Sequence, residues 1–220
     1  MYYKCIIIGL YLIINSTIII GCVDSQRTKD KTLLTAIEDG DLTKVKSSLA
    51  KGAKLTARDD RNYTTLMVAV EYEHKDIVKY LLDKNIEINS KDKEGWTALM
   101  LAVDNESIPI VKMLLDKGAQ VNIKGPDGWT ALHFAASYNN VDIVLDLLDK
   151  GARINAQDTT GWTPLMLAAC DGYTPLVRIL LVSGANVNMK NKDEDTALSL
   201  AKDNEQIDTV RVLKEAGAKE

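Results

Sequence analysis

Thr97-Ala98-Leu99-Met100-Leu101-Ala102, Thr130-Ala131-Leu132-His133-Phe134-Ala135 and Thr163-Pro164-Leu165-Met166-Leu167-Ala168 are versions of one phrase, set 33 residues apart. The step continues in both directions. Leu33, Leu66, Leu99, Leu132, Leu165 and Leu198 keep it, as do Ala36, Ala69, Ala102, Ala135, Ala168 and Ala201. Thr64 and Thr196 extend the threonine series, and Gly118, Gly151, Gly184 and Gly217 form another, with Gly52 in phase and Asn85 standing in. No insertion disturbs the register, and counting from Lys31 gives six units, the sixth cut short at Glu220. A fixed short period marks an architecture in which each unit hides its apolar face only by stacking on its neighbours.

Each unit reads as two helices. Thr97, Thr130 and Thr163 can cap a first helix through the side-chain oxygen. Leu99 and Ala102, three residues apart, share one face of it. A second helix carries Ile110, Val111, Leu114 and Leu115, echoed by Ile77, Val78, Leu81 and Leu82 and by Ile143, Val144, Leu147 and Leu148. Pro109 and Pro175 suit the first turn of that helix, where a missing N–H is no loss. Gly118 and its equivalents suit the left-handed residue that closes a helix. From Val121-Asn122 to Gly128 an extended turn leads into the next unit.

A 33-residue period with a Thr-Pro-Leu-His-x-Ala phrase resembles the ankyrin repeat. The resemblance covers residues 31–220 and implies an all-α solenoid of helix-turn-helix units joined by β-hairpin-like loops, with terminal units as caps. Lys44, Ser47 and Ser48 in the first unit, and Ser199, Asp208, Arg211 and Lys214 in the last, fit that capping role. The chain also departs from the pattern. The motif histidine is present only as His133; Leu34, Met67, Met100, Met166 and Ser199 replace it. The Gly-His that ends the first helix in the family gives way to Glu73-His74, Glu106-Ser107 and Asn139-Asn140. Fewer inter-repeat hydrogen bonds and more methionine packing are expected.

The N-terminus has a different composition. Residues 6–20, IIIGLYLIINSTIII, contain no charge, follow Lys4, and are shorter than a comfortable membrane span. They end in Ile19-Ile20-Gly21-Cys22, which resembles the bacterial lipoprotein signal. The resemblance implies a signal peptide over 1–21, a diacylglycerol on the Cys22 thiol, and a polar tether over 22–30. A plain signal or an uncleaved anchor with an incidental Cys22 are the alternatives. The lipid reading places the protein in the cell envelope of a bacterium, on the periplasmic side of a membrane or at the cell surface.

The chemistry an enzyme needs is missing from the sequence. With 27 Lys and Arg against 31 Asp and Glu, a net charge of −4 argues against nucleic acid as a partner. Three cysteines exclude a disulfide framework and a four-cysteine zinc site. His74 and His133 occupy different places in different units and read as structural. Cys170 has no partner histidine at useful spacing, and Gly125-Pro126-Asp127-Gly128 reads as a turn rather than a phosphate loop. No catalytic residue, cofactor, metal or small-molecule substrate is expected.

What remains is a binding surface. The residue before the motif threonine is Tyr63, Trp96, Trp129 and Trp162 in four successive units, then Asp195. The ends of the first helices add Tyr72, Asp104, Asn105, Tyr138 and Asp171. In the ankyrin family these two places face the concave side and bind proteins. Tyr and Trp are frequent binding hot spots, and acidic flanks favour a partner with basic character. The same aromatic row could instead stack as a ladder that stabilises the array. The expected function is therefore a non-catalytic protein-binding scaffold held on the membrane by lipid. The alternative is an accessory or stabilising factor for an envelope enzyme, such as one handling oxidative stress.

Overall fold

The 33-residue period becomes a stack of helix pairs. The computed structural model describes residues 25–219, so the expected signal peptide and the lipidation of Cys22 lie outside the described residues. Helix α1 runs through residues 25–38. It is followed by α2 (Leu42–Ala50), α3 (Thr65–Glu71), α4 (Lys75–Leu82), α5 (Ala98–Asp104), α6 (Ile108–Asp116), α7 (Ala131–Ser137), α8 (Val141–Asp149), α9 (Pro164–Cys170), α10 (Thr174–Val182), α11 (Ala197–Asp203) and α12 (Ile207–Glu215). Among the described residues there is no strand; the loops are hairpins closed by single backbone bonds such as Asp92 N to Trp96 O at 3.1 Å, with one isolated bridge at Arg58 and Thr64. No helix among the described residues is long and apolar enough to cross a membrane.

First helices pack on first helices (α3 on α5, α7, α9 and α11 in turn) and second helices on second helices, which makes two layers with the core between them. The periodic leucines from Leu33 to Leu198 are at most 2 % exposed, and so are the periodic alanines from Ala36 to Ala201. The small alanines let successive first helices approach closely. Thr64, Thr97 and Thr163 cap their helices by accepting from the amides of Met67, Met100 and Met166 at 3.1, 3.3 and 3.2 Å. Pro109, Pro164 and Pro175 lie in the first turns of α6, α9 and α10.

Two expectations need correction. The tether foreseen over 22–30 is not a free spacer, because residues 25–30 belong to α1. Gln26 Nε2 donates to Gly52 O at 3.1 Å, and Asp30 Oδ1 accepts from Gln26 Nε2 and from the Lys54 amide, both at 2.8 Å. Gln26 and Asp30 sit one helical turn apart, so both reach the carboxyl end of α2. Ser48, read as a polar cap, is buried like its counterparts Leu81 and Leu114, whereas Lys44 and Ser47 are exposed.

The repeats are bound together by side-chain ladders. Arg58, Lys91, Lys124 and Gln157 each donate to the backbone carbonyl 33 residues on, at Lys91, Lys124, Gln157 and Lys190, over 3.1, 2.6, 2.7 and 3.0 Å. A second ladder uses the periodic asparagines. Asn89, Asn122, Asn155 and Asn188 accept through Oδ1 from the amides of Gln120, Arg153, Asn186 and Lys219 at 2.8–2.9 Å. Where methionine replaces the motif histidine, Met67, Met100 and Met166 are each 1 % exposed and fill the space by packing. The hairpin rungs are present whether the motif position is methionine or His133.

Glycine is needed where one unit's turn meets the next unit's side chain. Gly40 has φ +71°, and a Cβ there would lie 2.7 Å from the His74 ring, which bonds Glu38 O through Nε2 at 3.0 Å. At the same place in later units Glu73, Glu106, Asn139 and Glu205 adopt φ of 50–57° without being glycine. Each of these non-glycine residues carries local backbone strain.

Candidate protein-binding surface

The hairpin tips are built by an Asx turn. Asp59, Asp92, Asp158 and Asn191 each accept two amides through Oδ1, those of the residues two and four further on, at 2.7–2.9 Å. The fourth residue on is Tyr63, Trp96, Trp162 or Asp195, so the turn fixes where each tip side chain leaves the backbone. The hairpin before Trp129 is different. Gly125 occupies the Asx position, and a 3₁₀ turn, Pro126–Gly128, replaces the Asx turn. A Cβ at Gly125 would meet Met100 Sδ at 2.7 Å, so aspartate there would require the Met100 side chain to shift.

The aromatic row is half in the core. Tyr63, Trp96, Trp129 and Trp162 are all half-buried and pack on the cluster below. Phe134 lies between two of them, with ring centroids 4.7 Å from Trp96 and 4.9 Å from Trp129 in an edge-on arrangement. Trp129 Nε1 also donates to Asp158 Oδ2 at 3.1 Å. Burial pushes the Asp158 carboxyl up, but the bonds from Thr160, the Trp162 amide and Trp129 together hold it below the usual range. Beside this cluster His133 is fully buried. Its Nδ1 accepts from the Thr130 amide at 3.2 Å, so Nε2 carries the proton and donates to Trp162 O at 3.2 Å. Burial depresses the His133 pKa, which keeps it neutral.

The helix ends are the open part. Tyr72 and Tyr138 are 47 % and 42 % exposed, and Asp104 and Asp171 are exposed as well. The Tyr138 hydroxyl donates to Asp104 Oδ1 of the preceding unit at 2.5 Å, and this bond, with burial second, pushes its pKa up to about 12. Asn105 donates to Val70 O at 3.2 Å and spans the boundary between units. Arg61 lies 4.0 Å over the Tyr63 ring and reaches Asp59 at 3.1 Å and Glu71 at 3.3 Å. Tyr72, Asp104, Asn105 and Tyr138 therefore form one continuous strip across three units. Trp162 and Asp171 lie in the unit beyond, whose hairpin is bonded to the preceding unit by His133 Nε2 at Trp162 O.

The sequence reading missed Phe134 and Arg61. Phe134 was the visible one: it is the sole phenylalanine and stands where other units carry Val68, Leu101, Leu167 and Leu200. Cys170 is half-buried, and its thiol pKa is raised by burial and then by Asp171, so it is a poor nucleophile. Among the described residues no three His, Cys, Asp or Glu side chains gather in a way that could hold a metal ion.

A scaffold of stacked helix pairs with an exposed polar and aromatic strip is a protein-binding repeat array. The ankyrin-repeat family matches residues 12–92, 33–125, 90–158 and 132–220, and the chain belongs to that family. It is similar to a chain in the solved structure of the predatory endopeptidase Bd0816 from Bdellovibrio bacteriovorus in complex with immunity protein Bd3460. The identity is 36 %, the TM-score is 0.77, and the match covers 84 % of this chain and 97 % of that one. Comparison with curated proteins returns no match.

Proposed function

We propose that this ankyrin-repeat chain is a non-catalytic binding protein of a bacterial envelope, attached to a membrane through a lipid on Cys22. Its binding surface is the strip of Tyr72, Asp104, Asn105, Tyr138 and Asp171, with the outer edges of Tyr63, Trp96, Trp129 and Trp162 alongside. The observation that carries this reading is the pair of exposed tyrosines, 47 % and 42 % open, set among acids on the side where the first helices end. Large side chains left exposed among fixed polar neighbours are what a binding hot spot requires. The acids select a partner with basic groups at the contact.

A Tyr72→Ala/Tyr138→Ala variant tests it. Both rings are a little under half exposed and the variant loses the Tyr138–Asp104 bond at the surface, so its melting temperature should fall only modestly below that of the unchanged chain. Crosslinking and affinity capture from cells should recover a protein with the unchanged chain and lose it with the variant. Recovery of the same proteins by both forms would sink the proposal, as would reproducible catalysis by purified protein that a point change abolishes.

A second reading makes the partner an enzyme of the same compartment. The specific support is the similar structure, whose printed description is an endopeptidase in complex with an immunity protein. Under this reading the captured partner is an enzyme whose activity changes when the purified chain is added.

A further inference from the structure

The charges of the chain are not spread evenly along the stack. Residues 22–54 hold seven Lys and Arg against five Asp and Glu, whereas residues 55–220 hold 19 against 26. The fold concentrates the first group further. Gln26 and Asp30 pin the start of α1 to the carboxyl end of α2 through Gly52 O and the Lys54 amide. This brings Arg27, Lys29, Lys31, Lys51 and Lys54, all exposed, to one corner of the first unit. Lys29 Nζ lies 3.9 Å from where a Cβ on Gly52 would stand, which shows how near the two segments come. Among the described residues the only acid at that corner is Asp30, and its Oδ1 is already engaged by Gln26 and Lys54. Glu38, Asp39 and Asp41 lie at the opposite end of α1, in the turn to α2.

That corner is also where the chain leaves for Cys22. Residue 25 is three residue steps beyond Cys22, and at roughly 3.3–3.6 Å per step they span no more than about 10 Å. Whatever holds the chain at Cys22, or at the apolar run before it, holds this corner against the bilayer surface. The acidic remainder is distant by comparison. At roughly 8–10 Å between packed helices, five further units extend about 40–50 Å from the first. Charges beyond a Debye length of about 8–10 Å do not feel the surface.

We infer that the first unit is a docking face for anionic phospholipid headgroups, which the basic corner of Arg27, Lys29, Lys31, Lys51 and Lys54 engages beside the membrane attachment. The face stands the array end-on, with the acidic units and the tyrosine strip directed away from the bilayer. The inference rests on the membrane attachment proposed above, but not on whether lipid or the apolar run supplies it. Each exposed base at an anionic surface adds roughly five-fold to binding. The two acyl chains of a diacylglycerol already anchor firmly, so the basic patch would set the orientation of the array rather than its retention.

The test uses the full chain, purified from membranes and reconstituted into vesicles of phosphatidylcholine alone or mixed with phosphatidylglycerol. Lysine acylation followed by peptide mass spectrometry reads out which amines are covered. Lys29, Lys51 and Lys54 should label at least roughly three-fold more slowly on the anionic vesicles. The protection should fade at about 0.5 M salt, where the Debye length drops to roughly 4 Å. Lys192 and Lys219, far along the stack, should label equally on both vesicles. Equal labelling of the three lysines on the two vesicle types overturns the inference, and so does protection on both alike, which would mean that another protein surface covers them. The same spectra report the mass of the peptide that begins at Cys22. An acylated Cys22 with unprotected lysines defeats only this inference, whereas an unmodified Cys22 with protected lysines defeats only the lipid attachment.

Discussion

Replacing Phe134 with leucine isolates what the aromatic cluster contributes to stability. The change is mild by design, since Leu101, Leu167 and Leu200 occupy the same place in other units and the backbone accepts leucine there. What disappears is the pair of ring contacts at 4.7 Å to Trp96 and 4.9 Å to Trp129. Such pairs contribute about 0.5–1.5 kcal/mol each beyond the area they bury, which gives a loss of about 1–3 kcal/mol. For a domain of this size each kcal/mol shifts the melting temperature by roughly 2–4 °C, so the variant should melt about 2–12 °C lower. Thermal and urea unfolding followed by circular dichroism measures the loss, and tryptophan fluorescence follows the cluster itself. A double-mutant cycle with Trp129→Leu removes the contribution of the Trp129–Asp158 bond, and should leave a coupling of about 0.5–1.5 kcal/mol between residues 129 and 134. A Phe134→Leu chain that melts within about 1 °C of the unchanged one, or a coupling near zero, would refute the reasoning and return the tryptophans to the binding surface.

Three further outcomes follow from the same geometry. His133 has its pKa depressed below 6.5 by burial, so it is neutral when folded and takes up a proton on unfolding as the pH falls. Its contribution is complete above about pH 6.5 and is lost on acidification below that value; His133→Met, which copies Met100 and Met166, should melt with less pH dependence between about pH 7.5 and 5. Glu73 has φ 54° where Gly40 and Gly172 serve in other units, so Glu73→Gly should raise stability by about 0.5–1 kcal/mol in urea titration. Asn122 accepts from Arg153 N at 2.8 Å and donates to Gly151 O at 2.9 Å, so Asn122→Ala should cost about 1–2 kcal/mol and expose the Arg153 amide to faster hydrogen exchange.

The fold was legible because the solenoid writes each structural requirement at a fixed spacing. Threonine caps, buried leucines and alanines, and prolines in first turns lie where the period places them, and each keeps its place in the units that carry it whatever their neighbours carry at the hairpins. Two matters were decided between units and could not be read in the same way. The row of Tyr63, Trp96, Trp129 and Trp162 was compatible with either a partner or a ladder, because exposure depends on what the neighbouring unit presents. Phe134 takes up much of Trp96 and Trp129, while Tyr72, stacked on His74 at 6.2 Å, and Tyr138 stay 47 % and 42 % exposed. The departure at Phe134 was visible, but its meaning needed the distance between adjacent hairpins. The start of the array was misplaced for a similar reason. Residues 25–30 look like a polar spacer until Gln26 and Asp30 find the carboxyl end of α2 across the turn.

The ladders that join one unit to the next also make the length of the array a free variable. Every rung links a residue to a fixed position about one period on, 33 residues away in the first ladder and 31 in the asparagine ladder, and the acceptor is a backbone carbonyl or the donor a backbone amide, indifferent to the side chain around it. Excising residues 157–189, one period in length, would bring the Lys124 amine to the carbonyl of Lys190 and the Asn155 side chain to the amide of Lys219. Whole-unit gain or loss is therefore a small step for such a chain, and the reach of the strip can be lengthened or shortened without redesigning a joint. The exception is the unit holding Phe134, whose ring contacts with Trp96 and Trp129, together with the Trp129–Asp158 bond, depend on particular side chains. That unit is the fixed point about which the rest can be edited.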